Sequence, residues 1–442
     1  MPVKAFVLHA LVAMCLIAGM SAAARAETLN QALVDAWHNN SRIAAARANQ
    51  SAARHSLRAA EGGWYPRLGL NGKLARDHTE GTITLFQPAM DFSADLNQAT
   101  IALRLEQPLW EGGRLASRIS AAKRSALASR AHVHARTAQV FLNAVKVYLD
   151  VVAAQKLLQV QKDNVAVIQR QKEAARAALD HGEGTRTEVA QADSRLQRAV
   201  ARRIRAAAAL ARARALYRAV IGHEPDTLSL PATLPELPPT LTQAKRLASH
   251  NYGVKTARLQ ARSAAARAEL ADSAVMPSIR LFAEARRARE PQYGFQEVND
   301  TMIGISLSVP IWRGGSLRAR SAAAHDKAHA VGLEARAIQD HARSRVVASW
   351  HEYMATQAAM QAIEAQRTAA RIAYDGVQAE YRHGERTLLD VLNAEQEVRS
   401  AEAALIQARR DRIVAAYALL AATGKLTAET LGFAPVKKPG AS

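Results

Sequence analysis

Two stretches of this sequence, 202 residues apart, carry the same motif: Gln107-Pro108-Leu109-Trp110-Glu111-Gly112-Gly113 and Ser308-Val309-Pro310-Ile311-Trp312-Arg313-Gly314-Gly315. The same interval separates His181-Gly182-Glu183 from His383-Gly384-Glu385, and Gly222 from Gly424. One interval kept at three places indicates an internal duplication. Because the repeat is far longer than a solenoid unit, it describes a domain built from two equivalent halves.

The first 26 residues have the features of a secretory signal peptide. Lys4 begins a short basic region, an apolar segment follows, and Ala24-Arg25-Ala26 fits a cleavage site. The only cysteine, Cys15, lies in the apolar segment, so the mature chain has no thiol for a disulfide or a metal. No later run reaches the ~18 apolar residues of a membrane helix. These features predict a periplasmic, extracellular or outer-membrane protein.

The chain is strongly basic, with a formal net charge of +20. Such a charge is typical of nucleic-acid binding. However, the arginines lie in alanine-rich segments without interleaved aromatic residues, and an exported protein rarely meets nucleic acid. We therefore interpret these arginines as a solvated helix surface. They include Arg202, Arg203, Arg205, Arg212, Arg214 and Arg218.

Four segments alternate strictly between apolar and polar residues, two in each half. This period of two predicts strands that meet lipid on one face and water on the other. The polar stretches Asp77–Asn97 and Ala288–Asn299 join the two strands of each pair and resemble the longer external loops of outer-membrane barrels. The apolar positions are Leu68, Leu70 and Leu74; Ile101, Leu103 and Leu105; Ile279, Leu281, Ala283 and Ala285; and Ile303, Ile305, Leu307 and Val309.

Each half also predicts three helices. The helix after each Gly-Gly pair, Arg114–Asp180 or Ser316–Arg382, would span roughly 100 Å. The return helices, Thr185–Ile221 and Thr387–Thr423, would span roughly 55 Å. Each is completed by the helix that begins its half, Leu29–Gly62 or Leu241–Val275, stacked end to end beside the long one. The predicted organisation is a signal peptide (1–26), a first repeat (27–230), a proline-rich linker (231–240), a second repeat (241–424) and a C-terminal tail (425–442).

Four membrane strands cannot form a structure on their own. Bilayers tolerate strands only in closed barrels, because an open edge leaves backbone groups without hydrogen bonds. Two chains would supply eight strands and three would supply twelve. An eight-stranded barrel is filled by its own side chains, whereas a larger one holds a lumen. The sequence thus predicts a homo-oligomeric pore continued by a long helical tube.

At these residues the chain resembles the TolC family of outer-membrane efflux and secretion channels. The resemblance covers nearly the whole mature chain and depends mainly on two doubled motifs. They are Pro-[Leu/Ile]-Trp-x-Gly-Gly and Gly-x-x-Thr-x-x-[Glu/Asp]-Val. It implies a trimer with a twelve-stranded β-barrel in the outer membrane and a twelve-helix α-barrel in the periplasm. It also implies docking to a periplasmic adaptor, or membrane fusion protein, and to an inner-membrane transporter, without enzyme activity.

The resemblance also assigns roles at the second helical turn. Tyr381 and Arg386 match residues that tie neighbouring helices shut, and Thr187 and Glu188 match their partners. Asp390 matches a carboxylate ring at the constriction. Asn393 departs from the pattern, because it stands where a second carboxylate might be expected.

Other positions at the two ends of the helices are expected to dock or anchor the channel. The exposed turns, with Gly182, Gly184, Gly384 and Glu385, are expected to receive the adaptor. The strand-to-helix junctions are expected near the membrane surface, with Trp110 and Trp312 either in an aromatic girdle or packed beneath the barrel. The junction residues are Pro108, Trp110, Gly112, Gly113, Pro310, Trp312, Gly314 and Gly315.

Several alternatives remain open from the residues themselves. Glu188 and Asp390 each stand three residues after a threonine, so both could belong to helix capping boxes. His132, His134, His181 and His383 have no further ligands at metal-site spacing near them in the sequence, and no catalytic or cofactor-binding motif is present, so we expect no metal, no cofactor and no enzyme. An exit duct is the favoured function. A periplasmic coiled-coil scaffold or adaptor without a barrel is the alternative.

Overall fold

The computed structural model describes residues 27–83, 90–231, 233–292 and 295–433. The predicted signal peptide lies outside the described residues, as does the C-terminal end from residue 434. The chain forms two compact units. One comprises the described parts of residues 1–47, 132–252 and 339–442, and the other those of 48–131 and 253–338.

The two repeats contain the same elements in the same order. The first has α1 (Leu29–Asn39), α2 (Ser41–Glu61), β1 (Arg67–Ile83), β2 (Met90–Trp110), α3 (Arg114–Asp180) and α4 (Arg186–Ile221). The second has α5 (Leu241–Ala248), α6 (Tyr252–Asp272), β3 (Ser278–Arg289), β4 (Glu297–Ser308), α7 (Ser316–Arg382) and α8 (Leu388–Ala422). Short 3₁₀ turns, Gly62–Trp64 and Ser273–Val275, precede β1 and β3. The long helices α3 and α7 have the bounds that the sequence predicts.

The helix expected at the start of each repeat is divided in two, so the expectation of one continuous helix there was wrong. In the first repeat Asn40 has an extended backbone with ψ 118°. Its side-chain amide donates to the Val220 carbonyl at 3.0 Å, and its side-chain oxygen accepts from the backbone N–H of Arg42 at 3.0 Å. The asparagine thus caps α2 and binds the end of α4, which stabilises the break.

The second repeat has the same break at Asn251. Its amide donates to the carbonyls of Ala421 and Ala422 at 3.1 and 3.0 Å. These carbonyls lie at the end of α8, where the regular helical hydrogen bonds stop. Each return helix is therefore capped from outside by an asparagine of the same repeat.

The four strands form one antiparallel sheet in the order β1-β2-β3-β4. The pairing of β1 with β2 continues from Arg67–Glu106 to Ile83–Met90, and that of β3 with β4 ends at Arg289–Glu297. Most residues of the expected loop Asp77–Asn97 are therefore paired strand residues, which corrects that loop. The expected loop Ala288–Asn299 is only shortened at its two ends, because residues 290–296 lie between β3 and β4.

Polar side chains pair across the outer ends of β1 and β2. His78 Nδ1 lies 2.9 Å from Asp95 Oδ1, and the Thr82 hydroxyl donates to Asp91 Oδ1 at 2.6 Å. Such cross-strand pairs stabilise a hairpin without burying an apolar face. The apolar alternation predicted only the part of the hairpin that has an apolar face, because the alternation stops where these polar pairs begin.

The two faces of the sheet differ as the alternation predicts. Leu68, Leu105, Ala283 and Ile303 share one hydrogen-bonded row and one face. The opposite face carries ion pairs: Arg104 lies 2.8 Å from Glu106 and 3.6 Å from Glu284, and Arg286 lies 3.5 Å from Asp300. One face thus suits hydrocarbon and the other suits water.

The main core lies in the helical unit and is centred on Tyr148, which is fully buried. Its hydroxyl lies 2.7 Å from the carbonyl oxygens of Glu27 and Ser229. Leu234 and Leu237 of the proline-rich segment pack against this core, and Leu426 is fully buried in it. Residues 425–433, expected as part of a tail, are instead packed against the helices.

One helix of the described chain, α3, is long and apolar enough to cross a membrane by length and composition alone. Its most apolar 18-residue window has a mean hydropathy of 1.2, but 61% of that window is buried inside the protein. This burial is typical of a core helix, so the apolar stretch is accounted for by helix packing.

We predict that a charge on the apolar face of β4 disrupts membrane assembly and that a charge on the other face does not. Ile305→Arg should cost about 2–4 kcal/mol near the bilayer midplane. Met302→Arg is the matched control, because Met302 lies opposite Glu284 on the polar face. The amount of folded protein recovered from outer membranes measures the effect. Equal losses from both variants would contradict the assignment of the two faces.

Candidate functional site

The first helical turn depends on two glycines. Gly182 has a φ of +79°, and the N–H groups of Glu183 and Gly184 both donate to the Ala178 carbonyl, at 2.9 and 3.0 Å. A Cβ on Gly184 would lie 2.9 Å from the backbone N of Leu179. The turn is therefore tight, and no side chain fits at residue 184 without a shift of the backbone.

The second turn has the same backbone but a different side chain. Gly384 has a φ of +79°, and the Glu385 N–H donates to the Glu380 carbonyl at 3.0 Å. Arg386 stands where the first turn has Gly184. Its Nε donates to Glu380 Oε2 at 2.8 Å, and this contact raises the pKa of Arg386. The second turn is thus tied back to the end of α7 by an ion pair that the first turn lacks.

Both return helices begin with capping boxes. The Thr185 N–H donates to Glu188 Oε2 at 2.8 Å, and the Glu188 N–H donates to the Thr185 hydroxyl at 3.2 Å. Thr387 and Asp390 make the same pair of contacts, at 3.0 and 3.2 Å. The capping alternative is therefore confirmed for both carboxylates, whose gating roles remain predictions.

The capping contacts also affect the charge of Asp390. Hydrogen bonds from the side chain and the backbone of Thr387 hold the pKa of Asp390 below its usual range, and the charge of Arg386 lowers it further. The Asp390 carboxylate is half-buried near the turn. It stays ionised at neutral pH and keeps a negative charge at this end of the helices.

The remaining residues of the expected gate are separated within one chain. Thr187 and Tyr381 are exposed. The expected pairing of Arg386 with Glu188 does not form among the described residues of a single chain, where Arg386 binds Glu380 instead. A contact between chains stays a prediction. Asn393 accepts a hydrogen bond from Arg195 at 2.7 Å, so it links α8 to α4.

Sequence reasoning missed a buried carboxylate one turn further along α8. Glu395 is 3% exposed, accepts a hydrogen bond from Gln171 at 3.0 Å and lies 3.4 Å from Arg399. Burial raises the pKa of Glu395, while Arg399 and Gln171 oppose that effect. The sequence signal was available, since Glu395 and Arg399 stand four residues apart on one helix face.

Part of the arginine surface also has partners. Arg202 donates to Gln396 at 2.6 Å, and Arg410 lies 2.7 Å from Asp150. These contacts join helices of the two repeats. Arg203, Arg205, Arg212 and Arg214 are exposed, as the solvated-surface interpretation expects.

The strand-to-helix junctions share a backbone with two consecutive positive φ angles, at Gly112 and Gly113 and again at Gly314 and Gly315. Near the first junction the pairing of β2 with β3 shifts between Pro108 and Trp110. Pro108 cannot donate a backbone hydrogen bond, so the ladder is irregular there. The indole rings of Trp110 and Trp312 are exposed at 47% and 77% in the single chain, with Pro310 between β4 and Trp312.

One histidine has acidic neighbours that the sequence did not indicate. His223 Nε2 lies 3.7 Å from Glu27 Oε1 and 3.5 Å from Asp35 Oδ2, and Nδ1 lies 2.9 Å from the Glu224 carbonyl. Partial burial opposes protonation. The bond to Glu224 and the charges of Glu27 and Asp35 outweigh it and raise the pKa of His223. When protonated, the imidazole forms ion pairs with both carboxylates.

The sequence profile of the outer membrane efflux protein family matches residues 32–223 and 244–425, one match in each repeat. The outer membrane efflux protein BepC of Brucella suis biovar 1 (strain 1330) is 32% identical over 413 residues, covering 93% of this chain and 88% of that protein. The outer membrane protein TolC of Vibrio cholerae serotype O1 is 23% identical over 421 residues, covering 92% and 93%.

Solved structures show the same fold. The Campylobacter jejuni CmeC outer membrane channel superimposes with a TM-score of 0.80 at 16% sequence identity, covering 90% of this chain and 86% of that one. This likeness agrees with a mainly helical fold that carries a few antiparallel strands. With both repeats matched and a relative that is 32% identical along 93% of this chain, the protein belongs to the outer membrane efflux protein family, the TolC-type channels of the outer membrane, which is not a class of enzymes.

Proposed function

We propose that three copies of this chain form a passive exit duct through the outer membrane. The duct would serve a tripartite efflux pump or a type I secretion system. The observation that supports this most directly is the four-stranded sheet, which has one apolar face and ends at β1 on one side and β4 on the other. Since both edges would leave backbone groups without hydrogen bonds in lipid, the sheet requires strands from further copies.

The course of the apolar face along the sheet supports closure into a barrel. Leu74 on β1 shares its hydrogen-bonded row with Arg289 on β3 and Glu297 on β4. Ile305 on β4 lies instead in the row of Leu281. The apolar band therefore crosses the strands obliquely, as it must when strands tilt relative to the membrane normal. Tilted strands with a stagger are the geometry of barrels.

The polar face supports three copies rather than two. Eight strands make a barrel filled by its own side chains, whereas twelve leave a lumen. The ion pairs of Arg104 and Arg286 are typical of a surface that meets water, and side chains of this size need space. A twelve-stranded barrel gives both the water and the space.

The helical turns are the proposed docking points for a periplasmic adaptor that connects the duct to an inner-membrane transporter. His181, Glu183, His383 and Glu385 are exposed at the turns. The turns interrupt long helices with a rigid backbone, so they present fixed shapes to a partner. Outer-membrane lipid would surround the strands, and no nucleic acid is part of the function.

The proposed resting closure uses the charge contacts of the second turn. In one chain Arg386 binds Glu380. Both capping contacts of the Glu188 side chain go through Oε2, which leaves Oε1 for a second partner. We infer that, in the closed trimer, Arg386 reaches Glu188 of a neighbouring helix. Three symmetric copies of one weak contact then act together around one axis.

We predict that Arg386→Ser and Glu188→Gln both raise single-channel conductance in planar bilayers. Glutamine at residue 188 keeps the capping box, so this variant removes the charge and not the helix end. Glu380→Gln is the matched control. It frees Arg386 within its own chain and should not raise conductance. If Glu380→Gln opened the channel as much as Arg386→Ser, closure would be internal to each chain, and Glu188 would be a cap alone.

The three copies of Asp390 are expected to favour cations at the entrance. Asp390→Asn should reduce the cation preference measured by reversal potentials and leave conductance similar. Because the pKa of Asp390 is lowered, its charge is lost only as the pH falls through that lowered value. Wild-type selectivity should therefore hold between about pH 7 and about pH 5. The assignment would be contradicted if the wild type lost its selectivity in that range, or if Asp390→Asn kept the full cation preference.

Docking at the turns predicts that added bulk blocks transport without harming the trimer. Glu183→Trp and Glu385→Trp place bulk at exposed positions with ordinary backbone. Gly384→Asn is the control, because asparagine tolerates a positive φ and a Cβ there meets no atom within 4 Å. Export assays and adaptor co-purification measure the effect. Full activity of both tryptophan variants would place docking elsewhere.

A further inference from the structure

The internal duplication gives each strand-to-helix junction a counterpart, and the two differ in what covers them. At the first junction Met276 packs against Gly112. A Cβ on Gly112 would lie 2.2 Å from the Cβ of Met276 and 2.9 Å from its Cγ. Met276 stands just before Pro277 and β3, and β3 pairs with β2 immediately above this contact through Ile279 and Trp110. Met276 therefore covers Gly112 at the first junction, and we call the glycine surface of a junction its seat.

The second junction has the same glycine backbone but nothing on it. Gly314 and Gly315 have φ angles of +58° and +75°, and a Cβ on either would meet no atom within 4 Å. A cavity of about 570 Å³ opens beside Gly315 and is lined by Pro310, Ile311, Trp312 and Leu317 and also by Met276, among others. Ile311 is 92% exposed in the single chain. An apolar cavity of this size beside a membrane strand calls for a partner.

The chain also carries an unused counterpart of Met276. Pro66 precedes β1 as Pro277 precedes β3, and the 3₁₀ turn Gly62–Trp64 corresponds to Ser273–Val275. Tyr65 therefore stands where the second repeat has Met276. The side chain of Tyr65 is 69% exposed. Within one chain, Met276 thus covers the seat at Gly112, whereas the seat at Gly314 is open and the equivalent side chain, Tyr65, is exposed.

We propose that Tyr65 of a second copy fills the open cavity beside Gly314 and Gly315, as Met276 fills the seat at Gly112. This contact rests on the proposed oligomer, in which β4 pairs with β1 of the next copy as β2 pairs with β3. Transferring the register of β2 and β3 places Trp312 opposite Leu68 of the next copy, and Ile305 opposite Leu74. Tyr65 then follows directly below the last strand pair, at the cavity.

The turn that presents Tyr65 is fixed before assembly. The Gln107 side chain donates to the carbonyl of Trp64 at 2.9 Å, which ties the turn to β2. The cavity is fixed on its own side, since Asp272 binds Ser321 at 2.5 Å and His325 at 3.0 Å. Asp272 and Ser321 both line the cavity and can meet a phenol hydroxyl, whereas the apolar lining packs on its ring. Two preorganised surfaces lose little entropy when they join.

Two experiments test the contact of Tyr65 and the oligomer independently. The only cysteine, Cys15, lies in the predicted signal peptide, so Leu74→Cys with Ile305→Cys is expected to give a clean cross-link between copies under a mild oxidant. Covalent trimers are expected, and Leu74→Cys with Ser306→Cys is the control, because Ser306 lies on the other face. An absence of cross-linked species in the first pair would refute the shared register and the proposed oligomer together.

The seat is then tested by Tyr65→Ala in the purified full-length protein. Heating should dissociate this trimer at a temperature lower by about 5 °C or more, because three buried aromatic contacts are lost. Tyr65→Phe should keep most of the packing and lie close to wild type. Normal cross-linking together with an unchanged dissociation temperature of Tyr65→Ala would overturn the seat and leave the oligomer standing.

Discussion

The unpaired backbone groups at the two edges of the sheet are the constraint on which the proposed assembly depends. Within one chain, β1 and β4 end the sheet, yet the apolar face between them is suited to hydrocarbon, where no water can satisfy a free N–H or C=O. We therefore propose that these edges pair with edges of other copies. The oblique apolar band and the polar face with its ion pairs agree with the closed barrel of twelve strands that we propose.

Internal duplication makes such closure simple to specify. The contact between β2 and β3 joins the first repeat to the second, and the contact between β4 and β1 of another copy would join the second to the first. One type of contact can then serve both inside the chain and between chains, with Met276 at Gly112 as the internal example. The repeats differ where the shared backbone carries a different side chain, as at Gly184 and Arg386. Because of this difference, only the second of these two turns has an ion pair between its residue 386 and the preceding helix.

The sequence predicted some elements well because their signals are local. The bounds of α3 and α7 follow from uninterrupted helical runs between glycine turns, and they are confirmed. The breaks at Asn40 and Asn251 were missed, because each asparagine binds carbonyl groups that lie far away in the sequence. The outer parts of β1 and β2 were taken for a loop, because paired polar strands lack the apolar alternation on which the prediction depended.

The candidate site was predictable to a similar degree. The capping boxes follow from a spacing of three residues, so they could be read directly. The pairing of Arg386 with Glu380 could not, because the turn brings together residues that no helical spacing relates. Asn393 shows the same limit. From the sequence, an asparagine in place of a carboxylate indicates a weaker ring of negative charge. In the folded chain, its amide oxygen accepts a hydrogen bond from Arg195. A carboxylate there would bind the same arginine more strongly. It would be largely neutralised by that contact and would add little negative charge to the lumen. In the proposed trimer, the three copies of Asp390, held ionised by the contacts from Thr387, would then supply the carboxylate ring at the second turn.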